Sequence, residues 1–468
     1  MSRVTSVVII GAGPGGYEAA LVAAQLGADV TIIDPHGAGG AAVLTDCVPS
    51  KTLIATADVL SSAADTGALG IRVAGQAPRP GALGVDLAVV NDRVKRLAQA
   101  QSDDIRQRLV AEGIRCLRAK GRLLSAQAVE AVFDDGRVEE IAADVVLLAT
   151  GARPRLLADA MPDGERILTW QQLYDLREVP ERLIVVGSGV TGAEFASAYH
   201  ALGSQVTLVS SRDRVLPGED ADAAQVIEDV FTSRGMTVLE RARAVAARRT
   251  DDGVAVELQD GRVVEGSHVL LAVGSLPNTD DLGLAAAGVD TDERGYVVVD
   301  RVSRTSARGV YAAGDCTGVL PLASVAAMQG RIAMWHSLGD AVAPLDLATV
   351  SSTVFTTPEI ATVGVTQREV DAGTARAEVV MLPLATNARA KMQEIQHGVV
   401  KVFCRPTSRI VTGGVVVGPR ASELIHALTV AVDARLTVDQ LAGTFTVYPS
   451  LSGSIAEAAR RLHRSAEA

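Results

Sequence analysis

Two short glycine patterns constrain this chain more than any other feature. The run Ser6 to Ile10 is continuously apolar and passes into Gly11-Ala12-Gly13-Pro14-Gly15-Gly16. A helical stretch from Tyr17 to Leu26 follows, then a second apolar run, Val30 to Ile33, closed by Asp34. About 175 positions later the pattern returns as Leu183 to Val186, Gly187-Ser188-Gly189-Val190-Thr191-Gly192, and a strand over Val206 to Val209. Strand, glycine turn, helix, strand is the sequence form of a nucleotide-binding βαβ unit. Gly11 and Gly187 permit the tight turn, Gly13 and Gly189 let the backbone approach a pyrophosphate, and Gly16 and Gly192 let helix and strand pack closely. Phosphate charge then meets unpaired N–H groups at the positive end of a helix, with Pro14 in the same turn. Packing alone does not explain two copies of this unit, so two dinucleotide domains are predicted.

The two units end differently. Asp34 stands eighteen positions past Gly16, where a carboxylate accepts hydrogen bonds from ribose hydroxyls. The second unit ends in Ser210, Ser211 and Arg212, without an acid. An acid at that point favours NAD and repels the extra phosphate of NADP, whereas a nearby Arg accommodates it. NADPH is therefore expected to be accepted, alone or together with NADH. A solvated surface role for Arg212 is the competing reading.

Composition narrows the class. A chain of 468 residues is long enough for two to four domains and a large core. A net charge of −11 carries no electrostatic footprint for nucleic acid. Cys47, Cys116, Cys316 and Cys404 are far apart and lack metal-ligand spacing, which suits a reducing compartment and no metal site. The start MSRVTSVVII reads as a first strand rather than a signal peptide. No apolar run approaches the roughly 18 residues of a membrane-spanning helix. These features predict a cytoplasmic protein without stable membrane insertion. Between the glycine units, Thr52 to Ala64 reads as helix, 65–84 as a Gly/Pro-rich loop, and about Val85 to Glu112 as a long amphipathic helix. The apolar run Asp144 to Leu148 is closed by Ala149-Thr150-Gly151, and the pattern changes again from about Thr349.

The run Gly39-Gly40-Ala41-Ala42-Val43-Leu44-Thr45-Asp46-Cys47-Val48-Pro49-Ser50-Lys51 resembles the redox-motif helix of the pyridine-nucleotide disulfide oxidoreductases, the lipoamide dehydrogenase and glutathione reductase family. Ala149-Thr150-Gly151, Val273 to Asn278, Gly309 to Cys316, Phe355 to Gly364 and Gly418 to Ile425 resemble further motifs of that family, in the family's order. The resemblance implies an α/β fold with two Rossmann-like domains and a C-terminal α+β dimerisation domain. The implied boundaries are 1–152 for the FAD-binding domain, 153–275 for the NAD(P)-binding domain, 276–348 for the second FAD-binding or central part, and 349–468 for the interface domain. It also implies a tightly but non-covalently held FAD, NADPH or NADH as cosubstrate, and a homodimer. Cofactor contacts fall by position on Ala42, Cys47, Lys51, Thr150, Gly151, Glu194, Gly274, Leu322, Ala323 and on Asp315, whose counterpart touches the ribityl chain. Cys316 reads as a small packing residue.

The departures matter as much as the matches. Disulfide-reducing members need two cysteines, a proton-shuttling His and a Glu that orients it. Here Ala42 replaces the first cysteine, Tyr448 the His and Gly453 the Glu. A phenol is a poor proton shuttle at neutral pH. Three of four parts are absent together, while Lys51 and Glu194, which pair beside the flavin in the family, remain. The resemblance extends to a quinone-reducing branch through GGAAVLTDCVPSKT and TVYPSLSGSI. It implies hydride transfer from NAD(P)H to FAD and direct delivery of electrons to a quinone or another small acceptor. Lys51 would stabilise charge on the flavin, Tyr448 would stack on or hydrogen-bond the acceptor, and Cys47 would be a bystander or a charge-transfer partner. The alternatives are single-cysteine thiol or peroxide reduction, transhydrogenation between nicotinamide nucleotides, and a non-catalytic flavin redox sensor.

Overall fold

The computed structural model describes residues 4–72, 75–77 and 83–463. In chain order the principal elements begin with β1 (Ser6–Ile10), α1 (Pro14–Gln25), β2 (Asp29–Ile33), α2 (Gly40–Leu44), α3 (Cys47–Asp65) and α4 (Leu87–Ala111). Next come β3 (Arg115–Leu117), β4 (Val145–Leu148), β5 (Ala152–Pro154), β6 (Ile167–Thr169), β7 (Arg182–Val186), α5 (Val190–Ala201), β8 (Gln205–Val209), α6 (Ala221–Ser233) and β9 (Thr237–Leu239). Then follow β10 (His268–Leu271), β11 (Ser275–Pro277), β12 (Val310–Ala312) and α7 (Ala323–Ser337). The C-terminal part holds β13 (Ser351–Val354), β14 (Glu359–Gly364), β15 (Glu378–Pro383), β16 (Val399–Cys404), β17 (Val411–Gly418), α8 (Ala421–Asp433) and α9 (Gly453–Leu462).

The chain sorts into two compact units, one of Met1–Thr52, Asn91–Arg155 and Gly274–Asp346, the other of Leu53–Val90, Leu156–Val273 and Leu347–Ala468. The first is built on a parallel sheet of order β12-β4-β1-β2-β3. Its central strands read as unbroken Val/Ile/Leu runs because both faces are covered. On one face Val7, Ile9, Ile32 and Leu147 pack against α1, α4 and α7. On the other, Val8, Ile10, Ile33 and Leu148 pack against a three-stranded antiparallel layer formed by Lys120–Ser125, Ala128–Val132 and Val138–Ala142. Ile9, Ile33, Leu147 and Leu148 are completely enclosed, each contributing roughly 1.5–3 kcal/mol of burial.

The second unit holds two sheets. A parallel sheet of order β9-β8-β7-β10-β6 repeats the first unit's architecture. An antiparallel sheet of order β13-β14-β17-β16-β15 packs against α8 and α9 through Val400, Val402, Val416, Leu428 and Ile455. Lys401 and Asp220 join the two: the Lys401 ammonium lies 3.0 and 2.9 Å from the Asp220 carboxylate oxygens and 2.5 Å from Asp222. Both Lys401 and Asp220 side chains are nearly solvent-free, at 3% and 4% exposure.

Two differences from the sequence reading concern α3. It begins at Cys47 rather than Thr52, and its residues from Leu53 onward group with the second unit. Within the expected loop 65–84, a single 3-10 turn forms over Thr66–Leu69, and 73–74 and 78–82 lie outside the described residues. No described helix is long and apolar enough to cross a membrane.

Candidate functional site

The first unit gathers one set of predicted residues at the carboxyl ends of β1 and β2. Gly11 turns with φ +103°, and a Cβ on it or on Gly16 would collide with the carbonyl oxygen of Ala149 or of Gly11 respectively. Strand and helix therefore touch backbone to backbone. A Cβ on Gly13, by contrast, would meet nothing within 4 Å. Gly13 caps α1 without a side-chain hydrogen bond, Pro14 opens the helix, and the first turn holds no acid. Unsatisfied N–H groups thus face open space at a positive helix end, a cradle that fits a pyrophosphate.

Asp34 does more than the sequence suggested. Its Oδ2 accepts from Ala12 N–H at 2.8 Å, and its Oδ1 accepts from His36 and Gly37 N–H at 2.7 and 3.0 Å. The carboxylate locks the glycine turn to the loop after β2. That loop continues into the thiol motif. Gly39 N–H donates to Ala12 O at 2.8 Å, and Gly40, at φ +57°, sits so close to Gly13 that a Cβ would lie 2.7 Å from its Cα. The glycine cradle and the motif carrying Ala42, Cys47 and Lys51 are consequently one rigid assembly.

Ala42 lies in the short helix α2, and Cys47 opens α3. The Ser50 hydroxyl donates to Cys47 O at 3.3 Å and the Thr52 hydroxyl to Val48 O at 2.7 Å, tightening that first turn. Pro49 is tolerated there because early helical N–H groups have no intrahelical acceptor. Cys47 and Lys51 are both half-buried. All four cysteines are free thiols. Cys316 is fully buried, donates toward Ala313 O at 3.3 Å, and burial pushes its thiol up to about 11.

Asp315 follows Gly314, whose N–H donates to the Gln329 side chain at 2.9 Å. Burial pushes the Asp315 carboxyl above its usual range. No described protein donor reaches that carboxylate, so a ligand hydroxyl fits there. Leu322 caps α7 without a side-chain hydrogen bond, and Ala323 begins a first turn free of acids, a second uncapped helix end in this unit. Thr150 and Gly151 bind the segment that also holds Gly274. The Thr150 hydroxyl donates to Asn278 O at 2.7 Å, Asn278 N–H donates to Gly151 O at 2.9 Å, and Arg155 N–H donates to Gly274 O at 2.9 Å. β5 and β11 pair antiparallel between these bonds.

The second unit repeats the cradle. Gly187 turns at φ +112°, and Gly192 packs against the carbonyl of Gly187. A Cβ on Gly189 would meet open space, and α5 starts uncapped with no acid in its first turn. Ser210, expected as a nucleotide contact, is a strut instead. It is fully buried, its hydroxyl lies 2.7 Å from the Ser188 hydroxyl of the glycine turn, and it accepts from Arg212 N–H at 3.1 Å. Arg212 itself is exposed.

Glu194 is 3% exposed, and its Oε1 accepts from Phe355 N–H at 2.9 Å. Beside it, Thr357 N–H donates to the Ser197 hydroxyl at 3.1 Å and the Thr357 hydroxyl to Asp58 at 2.7 Å. The segment around Pro358 is therefore fastened to α5 and α3, a link between residues about 160 or more positions apart that no local pattern announces. Tyr448 is 85% exposed, in a stretch with Phe445 at 104% and Val447 at 78%.

Two uncapped glycine cradles on parallel sheets, one accompanied by the half-buried Asp315 carboxylate that meets no donor among the described residues, define a protein built to hold two dinucleotides. The chain belongs to the pyridine nucleotide-disulphide oxidoreductases: it matches that family's profile over residues 5–330 and the family's dimerisation domain over residues 350–459. An NAD(P)H dehydrogenase (quinone) from Mycobacterium tuberculosis H37Rv is 56% identical over 468 residues, covering 98% of this chain and 94% of the relative. A dihydrolipoyl dehydrogenase from Chlorobaculum parvum is 33% identical over 457 residues, covering 97% and 96%. Among solved structures, LpdA from Mycobacterium tuberculosis superposes with a TM-score of 0.93 at 55% identity, covering 98% of this chain and all of that one. The HOCl-induced flavoprotein disulfide reductase RclA from Escherichia coli superposes with a TM-score of 0.85 at 25% identity, covering 97% and 99%. Membership of the family implies FAD and NAD(P)H.

Proposed function

We propose that this chain is an FAD-dependent NAD(P)H:quinone oxidoreductase and not a lipoamide dehydrogenase. One observation carries the reading: the nucleotide cradles are intact while the thiol motif holds Cys47 alone, with Ala42 in the place of its partner. The name of the 56% identical relative supports it. When bound, FAD supplies two-electron redox chemistry between NAD(P)H and the acceptor. The first cradle, Gly11 to Gly16, holds the pyrophosphate of FAD, and Asp315 accepts a hydrogen bond from its ribityl chain. The second cradle, Gly187 to Gly192, holds the pyrophosphate of NAD(P)H. Lys51 contributes the positive charge that balances charge arriving at the flavin ring, the general logic of preorganised electrostatics. Glu194 holds the Phe355 backbone in place from its buried position. Tyr448 offers an aromatic face and a hydroxyl to a flat quinone, and its stretch with Phe445 and Val447 belongs to the face through which two copies associate. Cys47 packs beside the flavin without turning over.

The test is steady-state oxidation of NADPH and NADH with menadione, a benzoquinone and lipoamide side by side. Rapid turnover with quinones and negligible turnover with lipoamide is expected, and Cys47→Ala retains quinone turnover. Substantial lipoamide reduction, or quinone turnover that vanishes in Cys47→Ala, contradicts the reading.

A further inference from the structure

A cavity opens at the end of the first unit's sheet that the glycine cradle does not use. Strand β12 runs parallel to β4, and β4 to β1. The carboxyl end of β12 abuts the cradle, where a Cβ on Gly15 would lie 3.1 Å from the Ala313 Cβ. Its amino end, at Val310, lies on the opposite edge. There a cavity of about 620 Å³ forms between residues of the segment 298–311 and His336, in the last turn of α7. Small-molecule sites ordinarily span roughly 300–1,000 Å³. A lone ion or water, at about 30 Å³, would leave nearly all of it empty.

Most polar groups of this cavity are spent on its own walls. Asp300 Oδ1 accepts from Val302 and Arg304 N–H, each at 3.0 Å, and its Oδ2 takes the Arg304 guanidinium at 2.7 Å, so those two charges cancel. The Thr305 hydroxyl donates to Val310 O at 2.9 Å, and the Ser306 hydroxyl to Gly288 O at 2.9 Å. Tyr311 is 7% exposed, and its hydroxyl lies 2.9 Å from His336 Nδ1. Burial holds that phenol above its usual range, so it keeps its proton at neutral pH. With the phenol donating to Nδ1, the imidazole carries its own proton on Nε2. Two groups are left over: the Arg308 guanidinium and His336 Nε2 make no hydrogen bond or ion pair among the described residues. Arg308 is exposed at the cavity wall, in a turn closed by Val310 N–H on Ala307 O at 3.1 Å. Gly309 completes that turn at φ +84°.

We propose that this cavity binds a small organic anion, with its oxyanion head on Arg308 and His336 and its apolar body against Val299, Ala307 and Val310. Both unspent groups are donors and one carries a permanent positive charge, so their complement is an anionic acceptor. A planar guanidinium meets a carboxylate or a phosphate with paired hydrogen bonds. The valines and the alanine line the same space and suit a hydrocarbon body. The site needs neither dinucleotide, so it stands apart from the proposed function.

The experiment is calorimetric titration of the FAD-loaded protein with 2-naphthoate, phenyl phosphate, inorganic phosphate and the neutral 2-naphthylmethanol. Wild type is compared with Arg308→Gln, Arg308→Lys and Arg308→Gln/His336→Leu. An organic anion should bind wild type, and Arg308→Gln should weaken it about tenfold, the scale of one charged hydrogen-bonding partner. The double variant should lose more, and Arg308→Lys should recover part of the loss. The tighter of the two organic anions tells a carboxylate head from a phosphate head. Melting temperatures and menadione-dependent NADPH oxidation in Arg308→Gln should equal those of wild type, which separates this cavity from the flavin site. Binding of 2-naphthoate that is the same in Arg308→Gln as in wild type overturns the proposal. So does a neutral alcohol that binds as tightly as the acid, inorganic phosphate that binds as tightly as either organic anion, or the absence of binding by both organic anions at millimolar concentration.

Discussion

Replacing Lys401 with Met should destabilise the second unit sharply. The ammonium is the counter-charge for Asp220, and both side chains are within 4% of complete burial. Asp222, the second carboxylate on Lys401, is 53% exposed and can turn to water. Asp220 cannot turn away, because its Oδ1 also accepts from Asp222 and Ala223 N–H at 3.1 and 3.2 Å as the N-cap of α6. Breaking a buried ion pair from one side costs about 3–5 kcal/mol. The two backbone bonds that remain on Asp220 place the expected loss near the lower end, about 3 kcal/mol. For a cooperative unit of a few hundred residues this lowers Tm by roughly 6–12 °C. Removing the stranded charge as well should recover much of the loss, since Asn still caps a helix. Scanning calorimetry of Lys401→Met beside Lys401→Met/Asp220→Asn is the assay. The two carboxylates raise the Lys401 ammonium above its ordinary 10.5 against the opposing effect of burial. The stabilisation is therefore present throughout neutral pH and is lost only as pH rises through that raised value. A single Met variant as stable as wild type, or a double variant no better than the single, would refute the reasoning.

Burial raises the Asp315 carboxyl above its ordinary 3.8, so the ionised side chain costs stability at neutral pH. Asp315→Asn should stabilise the flavin-free protein by about 1–3 kcal/mol while weakening flavin retention, read as melting curves of stripped and FAD-loaded protein; no gain in the stripped form contradicts the assignment. His200 and His268 are both held below the ordinary 6.5, chiefly by burial. Their neutral forms contribute stability above that value, and it is lost as pH falls through the depressed values. A His200→Gln/His268→Gln variant should therefore show a shallower fall in Tm between pH 7 and 5 than wild type.

The backbone requirements of this fold were legible because they are local. Gly11, Gly16, Gly187 and Gly192 occupy positions where a side chain would strike a carbonyl, and only glycine satisfies them. The same holds for the apolar runs of β1 and β7, which state that both sheet faces are covered. Side-chain partnerships across long sequence separations were not legible. Nothing near Lys401 in the chain announces Asp220, and nothing near Glu194 announces the Phe355 backbone. Ser210 shows the limit well. Its place at the end of β8 suggested a ligand contact, but the geometry turns its hydroxyl inward onto Ser188. Asp34 was found by its spacing, but its three backbone donors appear only once the turn is folded.

The absence of a working disulfide is tested most directly by counting electrons. Anaerobic titration of the purified, FAD-loaded protein with NADPH, followed by the flavin absorbance, gives the number of reducing equivalents the protein takes up. With Cys47 as a lone thiol, one NADPH per flavin should complete the reduction. A second NADPH consumed per flavin, together with two newly titratable thiols, would reveal a disulfide partner for Cys47 and contradict the conclusion that electrons leave without passing through sulfur.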